Sequence, residues 1–262
     1  MTIQAVNISK SYRTKAGQKT VFENLNVTIK SGESIAILGR NGAGKSTLLR
    51  ILSGIEQPDS GRVISDEKIS WPVGTSSGFQ GSLTARENVR FVAKIYGKSR
   101  DVNSIVQQVQ EFADIGDSFD APFRGYSSGM KARVAFGLSM AIDFSVYIMD
   151  EITAFGDADF RNKAAEAISK RQERASFLMV SHDLWGLRLH CDHAFVLEKG
   201  ALTRFDSIKE AIKCHTDTLG VVNKHDVNQG MSRTEVREQR RLLSIRNKSM
   251  TKLEPEVREA SN

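Results

Sequence analysis

The chain has 262 residues, of which 40% are hydrophobic and 26% charged, with a formal net charge of +6. It reads as an ordinary soluble globular protein able to bury one substantial core, with room for a smaller subdomain and an appendage. No apolar run reaches the about 18 residues of a membrane-spanning helix, the start Met1–Ala5 lacks the basic-then-apolar order of a signal peptide, and Cys191 and Cys214 have neither metal nor redox spacing.

Those two thiols fit the reduced state of a cytosol, and the charge excess by itself is too small to point to nucleic acid or an anionic membrane. Residues 1–38 read as strands and turns. Val6–Tyr12 and Val21–Ile29 alternate apolar and polar residues, and the polar run Arg13–Thr20, with Gly17, suits a hairpin loop between them. Ser31-Gly32-Glu33 turns into the β-prone Ser34–Leu38. There follow Gly39-Arg40-Asn41-Gly42-Ala43-Gly44-Lys45-Ser46 and then a helix-forming run, Thr47–Leu52.

Strand, glycine-rich loop and helix in that order make a phosphate-binding loop. The glycines let the backbone curl so that successive N–H groups point inward, and the new helix adds the positive end of its dipole. Lys45 is then expected to reach the β- and γ-phosphates of a nucleoside triphosphate, and the Ser46 hydroxyl to ligate Mg²⁺. The bland alternative is a turn that holds nothing; the flanking strand and helix favour binding.

Gly54 and Pro58–Gly61 are punctuation, and Arg62–Ser65 reads as another strand. From about 84 to 141 the period becomes helical. Thr84-Ala85-Arg86-Glu87 has the form of a capping box. Val89, Val92, Ala93 and Tyr96 share one helical face; Val102, Ile105, Val106, Val109 and Phe112 share another; a third helix is predicted through Lys131–Leu138. This predicts a helical subdomain inserted into an α/β core.

The core resumes with the continuous apolar runs Val146–Met149 and Ser176–Val180, the pattern of strands buried on both faces of a mainly parallel sheet. The charged stretch 157–173 suits the crossover helix between them. Ala194–Leu197 and Ala201–Phe205 flank Lys199-Gly200 as a terminal hairpin. The fold class is thus α/β, with a mainly parallel core sheet, an N-terminal antiparallel β part and the helical insertion. The domain is expected to occupy 1–219. Residues 220–262 form a polar, basic extension, and whether it is helical or disordered, solvated or in contact with a membrane or partner, stays open on composition.

Asp150-Glu151 ends a buried strand, where open α/β sheets display ligand-binding residues. An Asp there can hold Mg²⁺ and the adjacent Glu can orient or deprotonate an attacking water. Two helix-capping acids would look the same; downstream of a phosphate loop the catalytic reading wins. His182, in Ser181-His182-Asp183, ends the next core strand and can donate a hydrogen bond to a γ-phosphate, although a lone His there is more often structural.

Tyr126-Ser127-Ser128-Gly129-Met130, just before the third helix of the insertion, resembles the signature sequence of ATP-binding-cassette ATPases, usually Leu-Ser-Gly-Gly-Gln. The resemblance covers about residues 3–210. It implies that Tyr12 stacks on adenine, that Gly39–Ser46 with Thr47 is the Walker A loop, and that Val146–Glu151 is the Walker B strand with its catalytic Glu. It further places Asp157 in the D-loop and His182 as the switch histidine. Two copies are expected to pair head to tail, with Ser127, Ser128 and Gly129 of one chain closing over the γ-phosphate held by the other. Ser128, Met130 and Ile152 depart from the general pattern, and Gln80 is carried as the Q-loop candidate although it lies closer to Leu83-Thr84 than in ordinary members.

Within the family, Ile69–Gly74, Gly78–Val89, the Tyr-Ser-Ser-Gly-Met signature and Phe155-Gly156-Asp157 resemble the ATP-binding subunit of bacterial capsular-polysaccharide exporters. That resemblance implies ATP and Mg²⁺ as cofactors, a second copy of the chain and a membrane permease as partners, and a lipid-linked anionic polysaccharide handled through the permease. It implies no nucleic acid, and a peripheral place on the cytoplasmic face of the inner membrane. The chain after Gly220 is too short and polar for the glycan-binding β-sandwich of O-antigen exporters. The alternatives are the same ATPase with a teichoic acid or O-antigen-like cargo, or a soluble cassette ATPase acting on ribosomes or DNA.

Overall fold

Alternation with a period of two lets one strand serve two cores, and four central strands of this protein do so. The computed structural model describes residues 2–15, 17–30, 32–76, 78–96, 102–150 and 158–218. The chain divides into two units, Met1–Leu219 and Gly220–Asn262, and every described residue belongs to the first. Glu151, Ile152, Phe155, Gly156, Asp157 and the extension 220–262 lie outside the described residues.

β1 (Thr2–Thr14) pairs antiparallel with β2 (Gly17–Lys30) and, on its other side, with β4 (Ser60–Ser65). The second sheet has the order β5-β6-β7-β3-β8-β9, built from β5 (Ile69–Pro72), β6 (Val146–Asp150), β7 (Ser176–Val180), β3 (Ile35–Leu38), β8 (His193–Glu198) and β9 (Ala201–Phe205). All its neighbours are parallel except the β8–β9 hairpin.

Ile35, Ile37, Val146, Ile148, Leu178, Val180, Phe195 and Leu197 point to one face, where they pack with the antiparallel sheet and with Leu48, Leu49, Ile51 and Leu52 of α1 (Lys45–Leu52). Ala36, Leu38, Tyr147, Met149, Phe177, Met179, Ala194 and Val196 point to the other. There they meet apolar residues of α2 (Ala85–Tyr96), α3 (Val102–Ala113), α4 (Ser128–Ala141), α5 (Ala158–Gln172), α6 (Leu184–His190) and α7 (Ile208–Thr218). Each large aliphatic or aromatic side chain so buried contributes about 1.5–3 kcal/mol of transfer free energy. The continuous apolar runs in the sequence are the two half-patterns superposed.

Several elements differ from expectation. The hairpin expected to loop from Arg13 to Thr20 stays paired until Thr14 meets Gly17, because exposed polar side chains do not stop two backbones from pairing. α4 begins at Ser128 rather than Lys131, since the Ser127 hydroxyl accepts the Met130 N–H (3.2 Å) and caps it. β5, α6 and α7 were not predicted. β5 is four residues long and ends in Pro72, which an edge strand tolerates, and α6 carries an interior glycine. The capping box of α2 forms as expected: Glu87 accepts the Thr84 N–H (2.8 Å), and Thr84 Oγ1 accepts the Glu87 N–H (3.1 Å).

Candidate functional site

The order β6-β7-β3 brings three carboxyl ends side by side. Ala36 is in register with Met179, and Met179 with Met149. From that common level β3 runs into the glycine loop, β7 into Ser181-His182, and β6 into Asp150, with Glu151 next in the chain. The first β-to-α connection of the sheet and the ends of its two neighbours therefore converge where such sheets bind ligands.

Inside the loop the backbone is crowded in a way that only glycine allows. A Cβ on Gly39 would lie 2.4 Å from the Leu197 carbonyl oxygen, and Gly44, at φ 104°, would put one 2.2 Å from Val21 Cγ1. Ala43 N–H bonds to Arg40 O (3.1 Å), closing the turn over Arg40-Asn41-Gly42. Lys45 is buried, and its Nζ donates to the carbonyls of Gly39 (2.8 Å) and Arg40 (3.1 Å), which holds the ammonium within the curl. Gly44 starts α1 with no side-chain cap and no acid in the first turn, so no carboxylate of the helix's own first turn offsets the positive end of its dipole. These features fit a polyphosphate.

Ser46 and Asp150 are half-buried, and their hydroxyl and carboxylate are the hard oxygen donors that Mg²⁺ takes together with phosphates and water. Among the described residues no group of three or more His, Cys, Asp or Glu could hold a metal alone. His182 is exposed after β7; its carbonyl accepts the Leu184 N–H (3.1 Å), and Asp183 caps α6 through the Trp185 N–H (3.1 Å).

Tyr12 is tied to this assembly through its hydroxyl, 3.4 Å from Thr47 Oγ1 in the first turn of α1. Thr47 itself is buried. A cavity of about 810 Å³ borders Gly42 and Ala43, walled by Thr20–Asn26 of β2 and by the β8–β9 turn at Lys199-Gly200. Lys45, Ser46 and Tyr12 are not part of its wall, so it flanks the phosphate loop rather than coinciding with it. A second cavity, of about 240 Å³, lies between Gly39–Ala43, the end of β8, and His215 and Thr218 of α7.

His215 is a residue that no motif singled out. Burial, then the neighbouring Lys45 and, more weakly, His182, hold its imidazole below the ordinary pKa, while Glu198 pulls it upward. It therefore shares the electrostatic environment of the phosphate loop.

The remaining predicted residues sit on the helical side. Tyr126 is buried against Phe123 (ring centroids 4.9 Å apart), with its hydroxyl on the Ser118 carbonyl, and this anchors the chain just before Ser127. Ser127 and Ser128 are exposed and Gly129 is half-buried at the N-terminus of α4, which carries no acid in its first turn. Gln80 is exposed in the loop from β5 to α2. Its backbone is clamped by Asn88, a residue of the same Gly78–Val89 stretch, whose Oδ1 accepts the Gln80 N–H (2.7 Å) and whose Nδ2 donates to the Gln80 carbonyl (3.0 Å). That loop is in turn laced to the segment leading into Ser127, with Arg124 N–H on Gly81 O (2.9 Å) and Phe123 N–H on Leu83 O (2.8 Å).

The family model described as ABC transporter matches residues 22–154. A polysialic acid transport ATP-binding protein, KpsT of Escherichia coli, is 54% identical over 196 residues, covering 75% of this chain and 88% of that protein. The capsule polysaccharide export ATP-binding protein CtrD of Neisseria meningitidis serogroup B is 41% identical over 209 residues, covering 80% of this chain and 96% of that protein. Among solved structures, the dimeric post-hydrolysis state of the ATP-binding cassette MJ0796 bound to ADP and Pi superposes with a TM-score of 0.67 at 21% identity, over 79% of this chain and 98% of that one. This last likeness bears on the fold.

Proposed function

The chain belongs to the ABC transporter family and is an ATPase, and we propose that it powers export of an anionic, lipid-linked capsular polysaccharide across the bacterial inner membrane through a separate permease. The cargo is supported by the relatives named for polysialic acid transport and capsule polysaccharide export, most of whose length this chain spans. No helix among the described residues is long and apolar enough to cross a membrane, and this reading assigns the translocation path to the permease. The chain's place is then peripheral, on the cytoplasmic face.

The observation that carries the mechanism is the convergence of the glycine loop, Asp150 and Ser181-His182 at one level of β3, β6 and β7. The backbone N–H groups of the Gly39–Ser46 loop, other than that of Ala43, which the Arg40 carbonyl already holds, cradle the phosphates, and the start of α1 at Lys45 adds its dipole. Lys45 exchanges the carbonyls of Gly39 and Arg40 for β- and γ-phosphate oxygens. Ser46 and Asp150 would hold Mg²⁺, which would supply positive charge against the phosphate oxygens. Glu151 orients and deprotonates the attacking water, and His182 donates a hydrogen bond toward the γ-phosphate.

The exposed N-terminus of α4 completes the site in a second copy: Ser127, Ser128 and Gly129 meet the γ-phosphate across the dimer, and Asp157, which lies outside the described residues, is kept in this reading as the D-loop residue. ATP bound between two copies favours the closed dimer because it contacts both only in that state. The Gln80 loop, laced to the segment before Ser127, passes the closure to the permease.

Deleting the gene tests this reading. Polymer should accumulate inside the cell while its synthesis continues, and a Lys45→Ala copy should not restore surface polymer. Normal surface polymer without internal build-up would refute it, and the sugar content of any retained polymer separates a capsular cargo from teichoic acid or O-antigen.

A further inference from the structure

Tyr12 is held at its hydroxyl by a charged cluster that no nucleotide-binding motif contains. The hydroxyl donates to Glu56 Oε1 (2.7 Å). The same carboxylate pairs with Arg50 Nε (3.0 Å) and Lys10 Nζ (3.1 Å). Lys10 also reaches Asp59 (3.2 Å), and Asp59 accepts both the N–H (2.7 Å) and the hydroxyl (2.9 Å) of Ser11, fixing the backbone next to Tyr12.

Glu56 lies just after α1 and Tyr12 on β1, so a contact between residues 44 positions apart joins the ring to the helix that opens at the phosphate loop. Burial works against ionisation of Glu56, but the hydrogen bonds from Tyr12, Lys10 and Arg50 outweigh it and keep its carboxyl below the ordinary range. The Lys10 ammonium lies over one face of the Tyr12 ring, 5.5 Å from the centroid.

We propose that Glu56 is a positioning residue that sets the plane of the Tyr12 ring for a nucleobase, with Lys10 covering one face so that the base stacks on the other. This rests on the reading of Tyr12 as the base-stacking residue. A ring already fixed by its hydroxyl loses no rotamer freedom when the base arrives, so more of the stacking energy is retained as affinity. Glu56 touches neither base nor phosphate and acts only through the tyrosine.

The test uses steady-state ATP hydrolysis by the full chain, with magnesium tripolyphosphate as a competitor that has phosphates and no base. Glu56→Ala and Tyr12→Phe should each raise KM for ATP about threefold to tenfold, the scale of one net hydrogen bond, with kcat within about twofold. The double variant should be no worse than either single one. The inhibition constant of tripolyphosphate should not change.

Glu56→Gln keeps an oxygen for the Tyr12 hydroxyl and should recover most of the lost affinity. It also supplies the readout should the alanine variant fold poorly. An unchanged KM in Glu56→Ala, effects that multiply in the double variant, a glutamine variant as weak as the alanine, or a parallel weakening of tripolyphosphate would each overturn the proposal. Tyr12→Ala separates the two levels. If it leaves KM unchanged, the base-stacking reading of Tyr12 fails; if it raises KM while Glu56→Ala is silent, only the positioning role fails.

Discussion

Asn88 offers a direct test of how the Gln80 loop is held. Its side chain is 3% exposed, and its three best hydrogen bonds are the acceptance from Gln80 N–H (2.7 Å) and the donations to Gln80 O (3.0 Å) and Thr84 O (2.9 Å). At about 1 kcal/mol net for each bond, Asn88→Ala should cost about 2–3 kcal/mol. In a folded unit of this size that lowers the thermal midpoint by about 4–12 °C.

Asn88→Asp is the sharper perturbation, because it keeps the acceptor for Gln80 N–H and replaces the donating amide with a second anionic oxygen facing two carbonyls. At neutral pH it should therefore be less stable than the alanine variant, despite its nearly identical shape. Burial and the opposed carbonyls raise the pKa of such a carboxyl in the folded state. The folded form then binds the proton more tightly than the unfolded one, so the deficit should grow as pH rises from about 4 to 7 and shrink on acidification. Thermal unfolding of the three proteins across that range reads both effects. An aspartate variant as stable as the parent at pH 7, with no pH dependence of the difference, would refute the assignment of Asn88 as the clamp.

His215 and Gly39 give two further expectations. Because the folded state keeps His215 below its ordinary pKa, the unfolded chain takes up the proton first on acidification. The stability this group contributes is full above about pH 6.5 and is lost as pH falls through that value toward the depressed folded one. His215→Gln should therefore flatten the fall of the thermal midpoint between pH 7 and 5; superimposable profiles would count against it. Gly39→Ala puts a methyl 2.4 Å from a backbone oxygen that cannot swing away. The loop must shift at about 1–3 kcal/mol, so ATP binding should weaken markedly in a chain with unchanged circular dichroism, and binding equal to the parent would show that the loop tolerates the methyl.

Much of this architecture is legible in the chain because local and global signals agree. The glycine loop announces itself through its flanks, and Val146–Met149 and Ser176–Val180 are apolar throughout because each strand feeds two cores. β5 and α6 escape such reading because they are short and hold a proline and a glycine that argue locally against strand and helix, while tertiary pairing and the Asp183 cap sustain them. The β1–β2 hairpin is longer than the apolar alternation implies, because its exposed polar residues break the pattern without breaking the backbone pairing.

Among candidate site residues, contiguous motifs single out the glycine loop, Asp150, Ser127–Gly129 and His182, whereas no motif singles out Glu56 or His215 and none shows what the Asn88 side chain holds. Glu56 meets Tyr12 across 44 positions and His215 belongs to a helix from the end of the domain, so only folding brings the one to the tyrosine and the other to the loop. Asn88 did leave a trace, since it directly follows the capping-box Glu87. Its partners, however, are backbone atoms, which carry no signature of their own.

The claim that the site is shared between two copies is tested most directly by mixed dimers of two inactive chains, one carrying Lys45→Ala and the other Ser127→Glu. If Ser127 serves the opposite phosphate loop, the mixed dimer has one site with both defects and one intact, made of the Ser127→Glu chain's loop and the Lys45→Ala chain's α4. ATP hydrolysis should then return in the mixture while both homodimers stay inactive. A mixture as inactive as its two components would place Ser127 in its own chain's site and contradict the shared one.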